Sequence, residues 1–412
     1  MTEVQILRNR DRVELGTVQG DVEIRDCRLI VPQQGEQITV TGTIRVRGDT
    51  VIEGSLKAYS LRTEHCDIEI QGDLVVETTV TIDKGSIEVK GSASAKQIQA
   101  DATIGIGGDL ICGSGKAGGA IRVSKNAKAM RLSAGGSVAV NGDAEVERLD
   151  AGGSVSVGGR VEAKEMAAGG SGRCNSGKIS RVSIGGSFKA EGAVEVDEID
   201  VGGAVSVGPG SKVGSVDVGG AFKASGDLTF GKIDVGGAVK IEGSAQGALI
   251  DVGGAVHVQG SLTITEKLDV GGTAVVDQDL RCSSTIDVGG TLTAGGRIDS
   301  MSIDVGGRIE AKYIRAEETF RIGKRGEVRG FVESKDIVIR ERARVESLYG
   351  EQIRVEERAR VKSIYGRSVY LEREVVVEGE VLYTDSFEAE ERVVLKTEPR
   401  KVDQLPPPES TQ

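Results

Sequence analysis

The sequence predicts an all-β chain wound into a right-handed parallel β-helix of about 17 residues per coil. Three observations carry this: a Gly-Gly pair that returns at a nearly constant interval, apolar columns two residues apart on either side of it, and a composition almost free of aromatic residues. The first glycines of the pairs are Gly118, Gly135, Gly152, Gly169, Gly185, Gly202, Gly219, Gly236, Gly253, Gly271, Gly289 and Gly306. Their spacing stays between 16 and 18 residues, too steady for a loop-rich globule and right for one short unit stacked on itself.

The columns say how each unit is built. Three positions before the glycines stand Leu132, Leu149, Met166, Val182, Ile199, Val216, Ile233, Ile250, Leu268, Ile286 and Ile303, every one apolar. One position before them the column runs Ala134, Ala151, Ala168, Ile184, then Val from Val201 to Val305. A separation of two is the strand period, so both columns face inward. Positions three and five after the glycine repeat the pattern, as in Val205/Val207 and Val239/Ile241, and a less regular third strand follows, as in Leu262 and Ile264. No stretch carries a sustained helical period, which excludes crossover helices, and the six-residue repeat of left-handed hexapeptide helices is absent.

The third observation fits. The 412 residues include no Trp, six Phe, six Tyr and two His, so a conventional layered core is not expected, whereas β-branched residues suit flat stacked strands. The corner glycines, Gly202, Gly203, Gly219, Gly220, Gly236, Gly237, Gly253 and Gly254 among them, read as positions that need either positive φ or a backbone approach that a Cβ would block. From about Gly20 to Lys396 the chain holds roughly 22 coils, a rod of ~100 Å. The expected organisation is an N-terminal tail at 1–19, irregular coils at 20–115, the Gly-Gly block at 116–307, charged coils at 308–398 and a disordered Pro-rich tail at 399–412.

Chemistry is sparse. The segment 172–180, GRCNSGKIS, approaches a phosphate loop, but Ile179 stands where a hydroxyl is needed, and the reading is a loop insertion over 171–178. His65 and His257 cannot build a three-His metal site, and the five cysteines (Cys27, Cys66, Cys112, Cys174, Cys282) form no CxxC pair. The column Asp200, Asp217, Asp234, Asp251, Asp269, Asp287 and Asp304 points outward and reads as solvated or backbone-bonded carboxylates, with a cation ladder as the sharper alternative. No catalytic, cofactor or metal residues are expected, and the chain is not read as an enzyme. The net charge of −11, with both signs interspersed, gives no footprint for nucleic acid. No apolar run reaches membrane-spanning length and the first residues lack a secretory h-region, so a cytoplasmic location is expected.

A solenoid seals every coil except its last ones, so function is expected at the tips. The expected contacts are Phe387, Val393 and Leu395 at the C-terminal coil and Val22, Ile24 and Ile30 at the N-terminal one. Residues 326–381, with GEVRGFVESKDIVIRERARVESLYG followed by ERARVKSIYG at a shift of 16, resemble the bactofilins, polymer-forming cytoskeletal proteins. The resemblance is best over about 311–396. It implies a right-handed three-sided β-helix with flexible tails, nucleotide-independent end-to-end assembly with itself into non-polar filaments, and scaffolding of cell shape or of other cytoskeletal or membrane-associated proteins at the inner face of the membrane. Of that family's polymer contact, Phe387, Val393 and Leu395 are the positions carried over, while Ile6 and Leu7 are a meagre match to its membrane-binding tail. The alternative reading is a non-polymerising β-helical scaffold or adhesin that displays its flat faces to partners.

Overall fold

A computed structural model describes residues 4–408 of the chain. Every element among them is a strand, and the chain is a right-handed parallel β-solenoid of about 23 turns. It divides into two compact units, Met1–Val205 and Ser206–Gln412.

In the first unit a representative coil runs from Ala127 to Asp143. Strand Ala127–Ala134 pairs in parallel with Leu110–Ala117 before it and Ala144–Ala151 after it, always in a 17-residue register such as Leu132↔Leu149. Ala127 and Ala129 are buried, Met130 and Arg131 are both exposed, and Leu132 and Ala134 are buried again. Strand alternation cannot change phase without a turn, so the coil bends at 130–131. It bends again at Gly135–Gly136, and Val138 and Val140 fill the third side. Each coil thus has three short sides with two inward side chains apiece. A buried Val or Leu contributes about 2 kcal/mol of transfer free energy, so many small side chains in register replace the missing aromatic core.

The second unit obeys the same rule. Strand Leu228–Val235 buries Leu228, Phe230, Ile233 and Val235, exposes Gly231 and Lys232 at the bend, and pairs with Ser211–Val218 and Ala245–Val252. Side-chain volumes compensate between neighbouring coils. A Cβ on Gly247 would lie 2.2 Å from the Phe230 ring, and one on Gly172 in the first unit would lie 2.1 Å from the Ile184 Cδ1 and 3.3 Å from the Phe188 ring. Where one coil supplies glycine, its neighbour supplies bulk.

The Gly-Gly corners resolve the alternative posed by the sequence. None of these glycines has φ in the left-handed region. What excludes a side chain is the coil next to them: a Cβ at Gly135 would sit 2.1 Å from the Gly118 carbonyl oxygen, at Gly202 2.5 Å from that of Gly185, and at Gly203 2.4 Å from that of Gly186. In the second unit a Cβ at Gly236 or Gly253 would be 2.7 Å from the carbonyl of Gly219 or Gly236, and at Gly237 or Gly254 2.3 Å from that of Gly220 or Gly237. The pairs stack backbone on backbone, and the Gly136 N–H donates to the Gly119 carbonyl at 2.7 Å.

Three expectations need correction. Residues 4–15 are not a tail: strand Val4–Leu15 is a full coil side and corner, paired from Val4↔Asp21 to Leu15↔Pro32, with Leu7, Val13 and Leu15 turned inward and Asn9 turning the corner at φ 51°. Its five charged residues hide the pattern in the sequence. Nor is 171–178 a loop. Strand Ser171–Ile184 runs through it, and the 16-residue spacing arises from a register shift between Val157 and Arg160 opposite Ser176. At the other end the expected tail at 399–412 begins with strand Arg400–Lys401, paired with Leu382 and Tyr383, while 409–412 lie outside the described residues.

Candidate functional site: the terminal coils

The last coil of the second unit begins at Ser386, within strand Val381–Ala389, and continues through Val394–Leu395 to Arg400–Lys401. Phe387 pairs in register with Val369 and Leu395 with Val377, so both continue inward columns. One coil earlier those columns are sealed: Val369 is 2% exposed, and Val375 and Val377 are 0%. Phe387, Val393 and Leu395 are only half-buried, and Val394 is 53% exposed. The same chemistry is uncovered because no further coil lies above it among the described residues. The Phe387 ring packs against Tyr383 with centroids 5.7 Å apart.

The three residues expected at the other tip lie deeper. Val22, Ile24 and Ile30 are at most 1% exposed, because strand Val4–Leu15 covers them. They belong to the second coil, not the first, and form no open surface. The open edge is that of Val4–Leu15 itself, which among the described residues pairs with Asp21–Pro32 on one side only. It carries Arg8, Arg10 and Arg12 outward, with Asp11 and Glu14 between and after them.

Inside the first unit several outward cations meet carboxylates one coil away, among them Lys128–Glu145, Lys164–Glu147 and Lys178–Glu195 at 2.7 Å and Arg148–Glu165 at 3.0 Å. Inside the second, Arg354 reaches Glu372 at 2.6 Å and Arg367 reaches Asp385 at 2.6 Å, which holds the Asp385 carboxyl below its usual range. Arg8, Arg10 and Arg12 have no ion-pair partner among the described residues, and neither have the side chains of Glu388 and Glu391.

Elsewhere the surface offers structure without reactive chemistry. A hollow of about 540 Å³ in the first unit is lined by Ile111, Cys112, Met130, Lys128, Glu145 and Lys164, but its lysines are consumed by the pairs above. Burial pushes the Cys112 and Cys174 thiols up to about 12, so neither is a nucleophile at neutral pH. All five cysteines are free and buried. His257 sits 3.1 Å from Asp277, His65 2.8 Å from Lys84, and among the described residues no three His, Cys, Asp or Glu converge as a metal site. The Asp column does stack: Asp217, Asp234, Asp251, Asp269, Asp287 and Asp304 are successive register partners in the second unit. Lys232 and Lys267 lean onto Asp234 and Asp269. No helix of the described residues is long and apolar enough to cross a membrane.

No family model, curated protein or solved structure matches the chain.

Proposed function

We propose that this protein is a structural scaffold, bactofilin-like in kind, that associates with itself through its terminal coils into filaments without a nucleotide. The observation that carries the reading is the set of inward columns in the second unit that end half-open at Phe387, Val393 and Leu395, one coil after the buried Val369, Val375 and Val377. A second copy covering them removes apolar surface from water and gives partners to the unpaired backbone groups of the edge. Coil-to-coil stacking is the interaction the chain already makes throughout, so a copy adds to the end by the same geometry.

The test is sedimentation and negative-stain electron microscopy of the purified full chain over a range of concentrations. Filaments that grow with concentration are expected, and Phe387→Arg, which puts a cation into the open column, should raise the concentration needed about tenfold or more. Single particles at every concentration would sink the proposal and favour a non-polymerising scaffold that presents its flat faces.

A further inference from the structure

Away from the tips, five large apolar side chains stand exposed among the described residues: Tyr59, Val75, Ile111, Met130 and Met301. Four of the five, each between 42% and 64% exposed, lie on one side of five consecutive coils of the first unit. An apolar patch gathered in this way marks an interaction surface. We propose that it docks a second copy of this chain, set face to face by a two-fold axis so that the coils of the two copies run in opposite directions. The contact is separate from the tips and forms whether or not they assemble.

The strand register gives the patch its symmetry. Two outward columns run along this side. The first is Lys57, Val75, Ser94, Ile111 and Lys128, successive partners in parallel strands. The second holds Tyr59, then Glu77 and Thr78 at an irregular corner, then Lys96, Gly113 and Met130. Successive coils lie about 4.8 Å apart. Val75 and Ile111 therefore stand one coil to either side of Ser94, and Tyr59 and Met130 stand two coils to either side of Lys96, in the same middle coil. An isologous contact needs a patch whose halves complement each other, residue i meeting j while j meets i. A two-fold axis along the strand at 93–96 supplies this, setting Val75 of each copy against Ile111 of the other and Tyr59 against Met130. The hollow of about 540 Å³ beside Met130, lined also by Ile111, Cys112 and Ala129, then receives the Tyr59 ring of the second copy. A foreign partner would require no such symmetry.

Charge and sheet geometry agree with the axis. Lys57, Glu77 and Lys96 enter no ion pair among the described residues. In the two-fold pairing Lys96 comes within one coil of Glu77 of the other copy, and Lys57 within one coil of Glu145, which Lys128 already holds at 2.7 Å. Opposite charges placed so fix the register of a contact. A two-fold along the coil axis would instead exchange the columns, setting Tyr59 over Lys57 and Met130 over Lys128. That buries charge against apolar groups and is disfavoured. Twisted sheets packed face to face cross at up to about 30°, which confines their contact to a few coils. The patch is confined in the same way, since the next outward residues are Glu145 and Glu147.

The experiment uses the full chain carrying Phe387→Arg, which disables the C-terminal tip, and reads mass by sedimentation velocity over a range of concentrations, with circular dichroism to confirm the fold. A dimer is expected, and Ile111→Glu/Met130→Glu, at two exposed positions, should raise its dissociation constant about tenfold or more. Cross-linking with a short bismaleimide tests the axis. Ser94→Cys should link to its own copy, while Val75→Cys and Ile111→Cys should each link poorly alone and well when mixed. Glu162→Cys, four coils from the axis, should not link, and the five native thiols are buried. Monomers at every concentration would overturn the proposal and leave the face to a partner of another kind. A dimer untouched by the two glutamates, or Val75→Cys linking to itself as readily as to Ile111→Cys, would overturn it too. If the double variant fails to fold, the cross-linking pattern decides. An unaltered chain that forms no filaments sinks the tip reading alone, because the face-to-face dimer does not need them.

Discussion

Within each unit the coil turns one and the same corner in two ways. In the first unit the corner passes through left-handed residues at Asn9, Asp26, His65 and Lys84 and then through glycine pairs from Gly118 onward. In the second it passes through glycine pairs to Gly306 and then through left-handed Arg325, Arg342, Arg358, Glu374 and Arg392. A left-handed residue bears the local backbone strain itself and frees its side chain for solvent, as Arg358 does in reaching Glu374 at 2.8 Å. A glycine pair has no such strain, but its backbone lies so close to the coil before it that a methyl group has no room. The two solutions place the constraint differently: one is local to a residue, the other is passed from coil to coil. That is why the Gly-Gly pairs come in an unbroken series while the left-handed corners tolerate Asn, Asp, His, Lys, Arg and Glu.

The largest expected effect follows from that placement. Gly135→Ala forces a Cβ to within 2.1 Å of the Gly118 carbonyl oxygen, a backbone atom that can move only if its coil moves. A local loss of about 3 kcal/mol is expected, of the size that overpacking produces. Because a solenoid unfolds region by region, the reading is native-state hydrogen exchange, with loss of protection at Gly136, Gly152 and their neighbours. Gly35→Ala is the control: its φ is 65° and nothing lies within 4 Å, so only the local cost of about 1–2 kcal/mol applies. Equal effects at the two glycines would erase the distinction between the corners.

Most of the coil was legible in the sequence because its signal is redundant. Every residue of the column from Leu132 to Ile303 is at most 1% exposed, and the residue types there are apolar without exception. The first coil was not legible, since Arg8, Asn9, Arg10, Asp11 and Arg12 surround a lone Leu7 and only three of its twelve residues are buried. Sequence alternation also cannot show that Gly172 keeps its place in a column: its neighbours Ile184 and Phe188 fill the space, a compensation that exists only after the coils stack. Of the tips, Phe387, Val393 and Leu395 were found because they continue the apolar alternation of 386–395. The open N-terminal edge was missed with the coil that carries it.

The reverse substitution at the other kind of corner should have the opposite sign. Arg342 sits at φ 60°, a region that glycine enters without the Cβ penalty, and it pairs with the adjacent Glu341 at 3.3 Å. Arg342→Gly removes strain of about 1–2 kcal/mol and gives part of it back as chain entropy, for a net gain of up to about 1 kcal/mol. Protection of the surrounding amides, Ala343 and Arg344 among them, should rise. A loss there would mean that the arginine side chain outweighs its backbone strain, and the left-handed corners would no longer be the locally strained ones.

The two regions of the second unit differ on their outer face as well, and this gives the smallest effect. The glycine region carries the aspartate column, which ends where Asp304 meets Arg321 in register, and the following positions are Val338 and Arg354. Partial burial, then the neighbouring Asp269 and Asp304, raises the Asp287 carboxyl above its ordinary value, with Lys267 pulling the other way. A carboxyl whose folded value is raised binds its proton more tightly in the folded chain than in the unfolded one. Its contribution to stability is therefore complete below the ordinary carboxylate range and is lost as pH rises through the raised value. At neutral pH the ionised group is a net cost, so Asp287→Asn should stabilise by about 0.5 kcal/mol at low salt and less at high salt. The gain should shrink to nothing as pH falls below the carboxylate range. Asp234→Asn, which gives up the Lys232 contact at 2.9 Å, should show no such gain. A pH-independent benefit at position 287, or the same benefit at 234, would show that stacked like charge is not what sets this face apart from the left-handed coils that follow it.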